Sequence, residues 1–134
     1  MTKSPASSPH PTEGELAILR VLWSAGVPLT VRAVHEVLSR DKDTAYTTVL
    51  KMLTIMSEKG LVRRDESERS HTYIPVHAEP VVQASLLRDL MRRAFSGSAA
   101  SLVQRALEDG TSTAEDLDEI SRLISQAKAQ RLKS

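Results

Sequence analysis

Hydrophobic positions along the chain fall into helical stripes, interrupted once by a stretch of strand formers. Thr12 and Glu15 have capping-box spacing ahead of "LAILRVLWSAG", where each side chain satisfies a helix-end N–H of the other residue. That segment is apolar nearly all round apart from Arg20, which predicts a buried first helix ending near Gly26, with Pro28 as the break. Thr30 is a good N-cap for "VRAVHEVLSR", in which Val31, Val34 and Leu38 share one face. After "DKD", the positions Ala45, Val49, Met52, Leu53 and Met56 make a third amphipathic stripe turned toward the first two helices. Gly60 is placed as its C-cap.

Next, "LVRRDESERSHTYIPV" loses the helical period. It predicts a β-hairpin with a polar tip from Asp65 to Arg69, and with Pro75 on an edge or at a strand's end. Beyond Val76 the helical pattern returns. Pro80 opens a helix carrying the rows Val82, Leu86, Leu90, Ala94 and Leu87, Met91, Phe95. After "SGS" comes a short helix with Leu102, Val103, Ala106 and Leu107, closed by Gly110. Ser112 and Glu115 then fit a second capping box for a last helix striped by Leu117, Ile120, Ile124 and Ala127.

These elements predict a mainly α protein. A Ser- and Pro-rich flexible arm over residues 1–11 precedes a winged helix-turn-helix domain over 12–76, made of three helices and a β-hairpin wing. Residues 77–134 form a three-helix region whose apolar stripes lack an obvious core of their own. A fragment of under about 60 residues is marginal alone, and an apolar stripe must be covered. Pairing with a second copy is the economical solution, with Leu86, Leu90, Leu117, Ile120 and Ile124 in the seam. A small-ligand pocket between these helices is the weaker reading, because Phe95 is their one aromatic residue and convergent polar groups are few.

Composition narrows the choice. The chain has no cysteine, which excludes disulfides, zinc ribbons and thiolate metal sites. Aromatics make up only 3%, so the core must be aliphatic. No apolar signal region follows Lys3, and the longest apolar run, "LAILRVLW", is short and broken by Arg20. The expectation is a soluble, cytoplasmic protein without membrane insertion. The net charge of +1 says nothing about nucleic acid, but residues 44–64 hold Lys51, Lys59, Arg63 and Arg64 against Glu58 alone.

The third helix carries the candidate chemistry. Its front end crowds Thr44, Tyr46, Thr47 and Thr48 into little more than one turn, although such residues are indifferent helix formers. In a helix-turn-helix the second helix enters the major groove by its N-terminal end. Threonine there can hydrogen-bond bases or phosphates and lay its methyl on thymine, while Lys51 reaches a guanine edge or a phosphate. Arg63, Arg64 or Arg69 of the wing would touch the neighbouring backbone. The bland alternative is a capping Thr44 and a solvated basic face. Histidines 10, 35, 71 and 77 show no metal-ligand spacing. With no phosphate loop or nucleophile elbow, and with Asp65, Glu66 and Glu68 at a hairpin tip where carboxylates are hydrated, the sequence carries no sign of an enzyme and none of a cofactor.

The segments "ELAILRVLW", "TVRAVHEVLS", "AYTTVLKMLTIMSEKGLV" and "HTYIPV", in this order and spacing, resemble the BlaI/MecI/CopY family of penicillinase and methicillin-resistance repressors. The resemblance covers about Glu13 to Val76 and continues more loosely into the tail. It implies a dimeric winged-helix repressor of double-stranded palindromic operators, for genes of the β-lactamase and antibiotic-response type. DNA reading then falls on Thr44 to Lys51, with Leu50 where some relatives have a basic residue. Copper-sensing members carry Cys-x-Cys pairs, which are absent here. In antibiotic-responsive members a membrane sensor-protease pathway leads to cleavage of an Asn–Phe bond in the fifth helix, and the matching bond here is near Arg105–Ala106. Two other function classes remain in view: a winged-helix protein-interaction module and a small-ligand-responsive regulator.

Overall fold

A computed structural model describes residues 10–133. The arm expected over residues 1–11 lies, through residue 9, outside the described residues. The capping box forms as its spacing predicts: Glu15 N–H donates to Thr12 Oγ1 at 3.2 Å, and Thr12 N–H donates to Glu15 Oε1 at 2.9 Å. It opens α1 (Glu13–Ala25), which closes on Gly26 in the left-handed conformation that glycine adopts without strain. Thr30 caps α2 (Val31–Asp41) by accepting the Ala33 N–H at 3.1 Å. Next comes α3 (Tyr46–Lys59), ended by Gly60 at φ 82°.

Ile18, Leu19 and Leu22 of α1, Val34 of α2, and Val49, Leu53 and Met56 of α3 are each essentially inaccessible and share one aliphatic core. Ala45 departs from the expected stripe. It is exposed, because it sits one residue outside α3 in extended conformation and its side chain leaves the helical face.

The wing is part of a three-stranded antiparallel sheet. We label its strands β1 (Leu29–Thr30), β2 (Val62–Asp65) and β3 (Thr72–Pro75), in the order β1-β3-β2. Strand β1 is a finding beyond the expected hairpin. Two residues give no alternation to read, and Thr30 serves both as a strand partner of Thr72 and as the cap of α2. Pro75 ends β3 opposite Val62, beyond the last β1 pair of Leu29 with Tyr73, so its missing N–H leaves no ladder position empty. Tyr73 is buried in the core, and Trp23 Nε1 donates to the His77 carbonyl at 3.0 Å.

One ion pair joins distant parts of this unit. Lys59, in the last turn of α3, places Nζ 2.7 Å from Glu15 Oε1, and the Glu15 side chain is only 8% exposed. Burial would raise the Glu15 carboxyl, but the Lys59 ammonium and the Thr12 bonds outweigh it and hold it below its usual value of 4.5.

The remaining helices are α4 (Glu79–Ala94), α5 (Ala99–Glu108) and α6 (Ala114–Lys133). The chain divides into two compact units, one ending at Asp89 and the other beginning at Leu90, so the division falls inside α4. Val82 and Ser85 of α4 are buried. Ser98 caps α5 by accepting the Ser101 N–H at 3.0 Å. The second capping box uses Thr113 and Asp116 rather than Ser112 and Glu115. Both pairs have the required spacing, and the box forms one residue later than expected because α6 begins at Ala114.

Candidate nucleic-acid interface

The helices α2 and α3, joined by residues 42–45, are the helix-turn-helix pair. The second of them starts without a side-chain cap. Its N-cap residue is Ala45, which offers no acceptor, and the Thr44 hydroxyl donates to the Lys42 carbonyl at 2.9 Å. The first turn also lacks an acidic residue. Leading N–H groups and the positive end of the helix dipole therefore have no internal anion, an arrangement that favours an external phosphate. His35 of α2 meets this junction: its Nε2 lies 2.7 Å from the Thr44 carbonyl oxygen, and its ring makes a T-shaped contact with Tyr46, with centroids 5.7 Å apart.

The turns of α3 that bury Val49, Leu53 and Met56 expose Thr47, Lys51, Thr54 and Glu58, with Tyr46, Thr48 and Leu50 also exposed. The threonines are not equivalent. The Thr54 hydroxyl donates to the Leu50 carbonyl at 2.9 Å, and that of Thr44 is engaged at Lys42. No hydrogen bond within the described residues engages the hydroxyls of Thr47 or Thr48. Leu50 puts an apolar side chain, 41% exposed, among these polar groups. Its sequence signal was its position one residue off the apolar stripe.

The cationic patch is thinner than its composition implied. Lys59 is held by Glu15, and Arg64 is paired with Glu66 at the wing tip. Asp65 accepts the Ser67 N–H at 2.9 Å, which holds its carboxyl below the usual value and keeps it charged, with Arg63 nearby. Among the described residues no ion pair engages Lys51 or Arg69, and both are exposed, as is Arg63. Glu66, expected to be fully hydrated at the polar tip, is about half exposed but engaged by Arg64, a pairing that the hairpin's geometry sets.

The residues expected at a seam differ in exposure. Leu90, Leu117 and Ile124 are each close to half exposed, and Leu86 and Ile120 are half-buried. No described residue from Leu90 onward is buried. Arg105 and Ala106 are exposed within the regular turns of α5, and Arg105 is paired with Glu108. Among the described residues no three potential ligands converge on a metal position, and no helix is long and apolar enough to cross a membrane.

The sequence profile of the penicillinase repressor family matches residues 11–126. The transcriptional regulator BlaI of Mycobacterium tuberculosis is 38% identical over 117 residues, which are 86% of this chain and 83% of that protein. The penicillinase repressor of Bacillus licheniformis is 22% identical over 123 residues, 92% of this chain and 95% of the relative. Among solved structures, a cysteine-to-serine mutant of Lactococcus lactis ZitR aligns at 16% identity with a TM-score of 0.41, covering 96% of this chain and 83% of that one.

Proposed function

We propose, from the premise that the chain belongs to the penicillinase repressor family, that it represses transcription as a cytoplasmic homodimer on a palindromic operator. In this reading α3 lies in the major groove. Thr47, Thr48 and Lys51 meet base edges, with Thr44 and Tyr46 at the groove's margin. Phosphates are gripped by the uncapped start of α3 and by Arg63, Arg64 and Arg69 of the wing. The observation that carries the proposal is the pair of exposed hydroxyls on Thr47 and Thr48, which no hydrogen bond engages among the described residues, beside a helix start without an internal anion. The helix start favours an external phosphate, and hydroxyls not engaged within the described residues can bond base edges.

The exposed apolar side chains of α4 and α6 support the homodimer, in which Leu86, Leu90, Leu117, Ile120 and Ile124 are covered by the second copy. Each half-site then holds the other by effective concentration, so a cut in α5 near Arg105–Ala106 releases the operator without touching the reading helix. A membrane sensor-protease pathway answering a β-lactam-type signal is the proposed source of that cut. Its sequence preference differs from the family's Asn–Phe bond.

Gel-shift titration against the DNA immediately upstream of the protein's own gene tests the proposal. Replacing Thr47 or Thr48 by Ala should weaken binding to that duplex by about 1–3 kcal/mol and alter base preference. Replacing Arg63 should weaken all duplexes alike and flatten the salt dependence. The opposite assignment of effects overturns the docking.

A further inference from the structure

We infer that His35 is a positioning residue for DNA reading, holding the start of α3 in place of the missing helix cap. The inference rests on the proposed docking of α3. Helices whose first turn does precise work are ordinarily pinned there by a capping side chain. Here Ala45 has none to offer, and the hydroxyl just before it, on Thr44, is turned back to Lys42. His35 reaches across from α2 instead. A carbonyl oxygen only accepts, so the 2.7 Å contact to Thr44 requires the proton on Nε2 of His35. The same ring makes a T-shaped contact with Tyr46, at an interplanar angle of 72°. One side chain from the first helix of the pair therefore holds both the main chain entering the second helix and that helix's first side chain.

The placement suits its purpose. A capping side chain would occupy the leading N–H groups of α3, and those are the groups proposed to face a phosphate. Holding the helix by the carbonyl of Thr44, outside the helix, fixes its entry and leaves those donors open. Thr47 and Thr48 follow Tyr46 directly, so freedom at residues 44–46 becomes freedom in the two reading hydroxyls.

The test uses the full chain with His35→Ala, His35→Gln and His35→Phe. Glutamine retains an N–H for the Thr44 carbonyl, whereas phenylalanine retains only the ring contact with Tyr46. Amide hydrogen exchange without DNA should accelerate by about three- to tenfold at Thr48, Val49 and Leu50 in His35→Ala, the size expected for one lost hydrogen bond. Exchange at Leu19 and Leu22 of α1 should not change, and His35→Gln should restore most of the protection. Uniform acceleration across the first unit, or none at α3, overturns the inference. In the second arm the probes are the duplex from upstream of the gene and a shuffled duplex of equal length. His35→Ala should lower their affinity ratio by about three- to tenfold with binding to the shuffled duplex unchanged, and His35→Gln should recover it. A full ratio in His35→Ala overturns the DNA-reading role while the proposed function stands. A wild type that binds both duplexes equally removes the proposed function and this role together, and the exchange arm still decides whether His35 holds the helix.

Discussion

Replacing Glu15 by Gln should loosen the far end of α3, because this carboxylate is where α1 and α3 are tied. Its Oε1 receives the Thr12 N–H at 2.9 Å and the Lys59 ammonium at 2.7 Å, and the side chain is only 8% exposed. Glutamine keeps a carbonyl oxygen for Thr12 but loses the charge facing Lys59. A charge-assisted bond contributes about 1.5–3 kcal/mol when sheltered, whereas a fully exposed pair contributes about 0.2–1 kcal/mol. Lys59 is 40% exposed, which places the pair between these, at about 1 kcal/mol. For a unit of this size that is a fall in Tm of about 4–8 °C, measurable by circular dichroism at neutral pH. Glu15→Ala also removes half of the capping box and should cost about 1 kcal/mol more. A cycle with Lys59→Met should return a coupling of about 1 kcal/mol.

The pH dependence has a definite direction. The Glu15 carboxyl is held below 4.5 in the folded chain, so its contribution is complete above the ordinary value of 4.5 and is lost as pH falls through the lower folded value. The gap between wild type and Glu15→Gln should therefore close in acid. Equal melting temperatures at neutral pH, or a gap that persists once the carboxyl is protonated, would refute the reasoning.

Other outcomes follow from the same structure. Ile120→Asp should place an unpaired charge in the proposed seam and yield monomers in analytical ultracentrifugation, and a wild type already monomeric at tens of micromolar would end that proposal. Arg64 also meets the Tyr73 side chain, so Glu66→Gln should remove only the charge facing it, raise affinity for every duplex alike and steepen the salt dependence by up to about one unit, whereas unchanged binding would show that the pair does not restrain Arg64. A chain ending at Arg105 should retain a folded first unit, as seen by calorimetry, and bind the upstream duplex far more weakly in a gel shift. Undiminished affinity would refute release by severed pairing.

The six helices of the described residues were legible because caps and stripes are local. Thr12 with Glu15, Thr30, Gly26 and Gly60 each mark a helix end through neighbours three or four residues away. What escaped notice depended on partners that local pattern does not specify. Strand β1 is visible only once β3 lies beside it. Thr113 and Ser112 compete for the same role at identical spacing, and a one-residue shift decides between them. In the candidate site, the helical period correctly set Thr47 and Lys51 opposite the buried stripe. The division of hydroxyls into engaged and unengaged, and of cations into paired and unpaired, required geometry. Lys59 joins a residue forty-four positions away, and His35 bonds a main-chain oxygen that any residue would supply.

The shallow burial of the second unit has a regulatory consequence. No described residue from Leu90 onward is buried, so under the proposed pairing this region would gain most of its apolar burial from the second copy, and its folded fraction would depend on protomer concentration. Under the proposed pairing, the amount of competent repressor at low abundance rises as the square of the amount of protein. Halving the cellular pool, through growth, dilution or proteolysis, then removes more than half of the bound complexes. The weak interior of the tail would then make the response to copy number steeper than proportional.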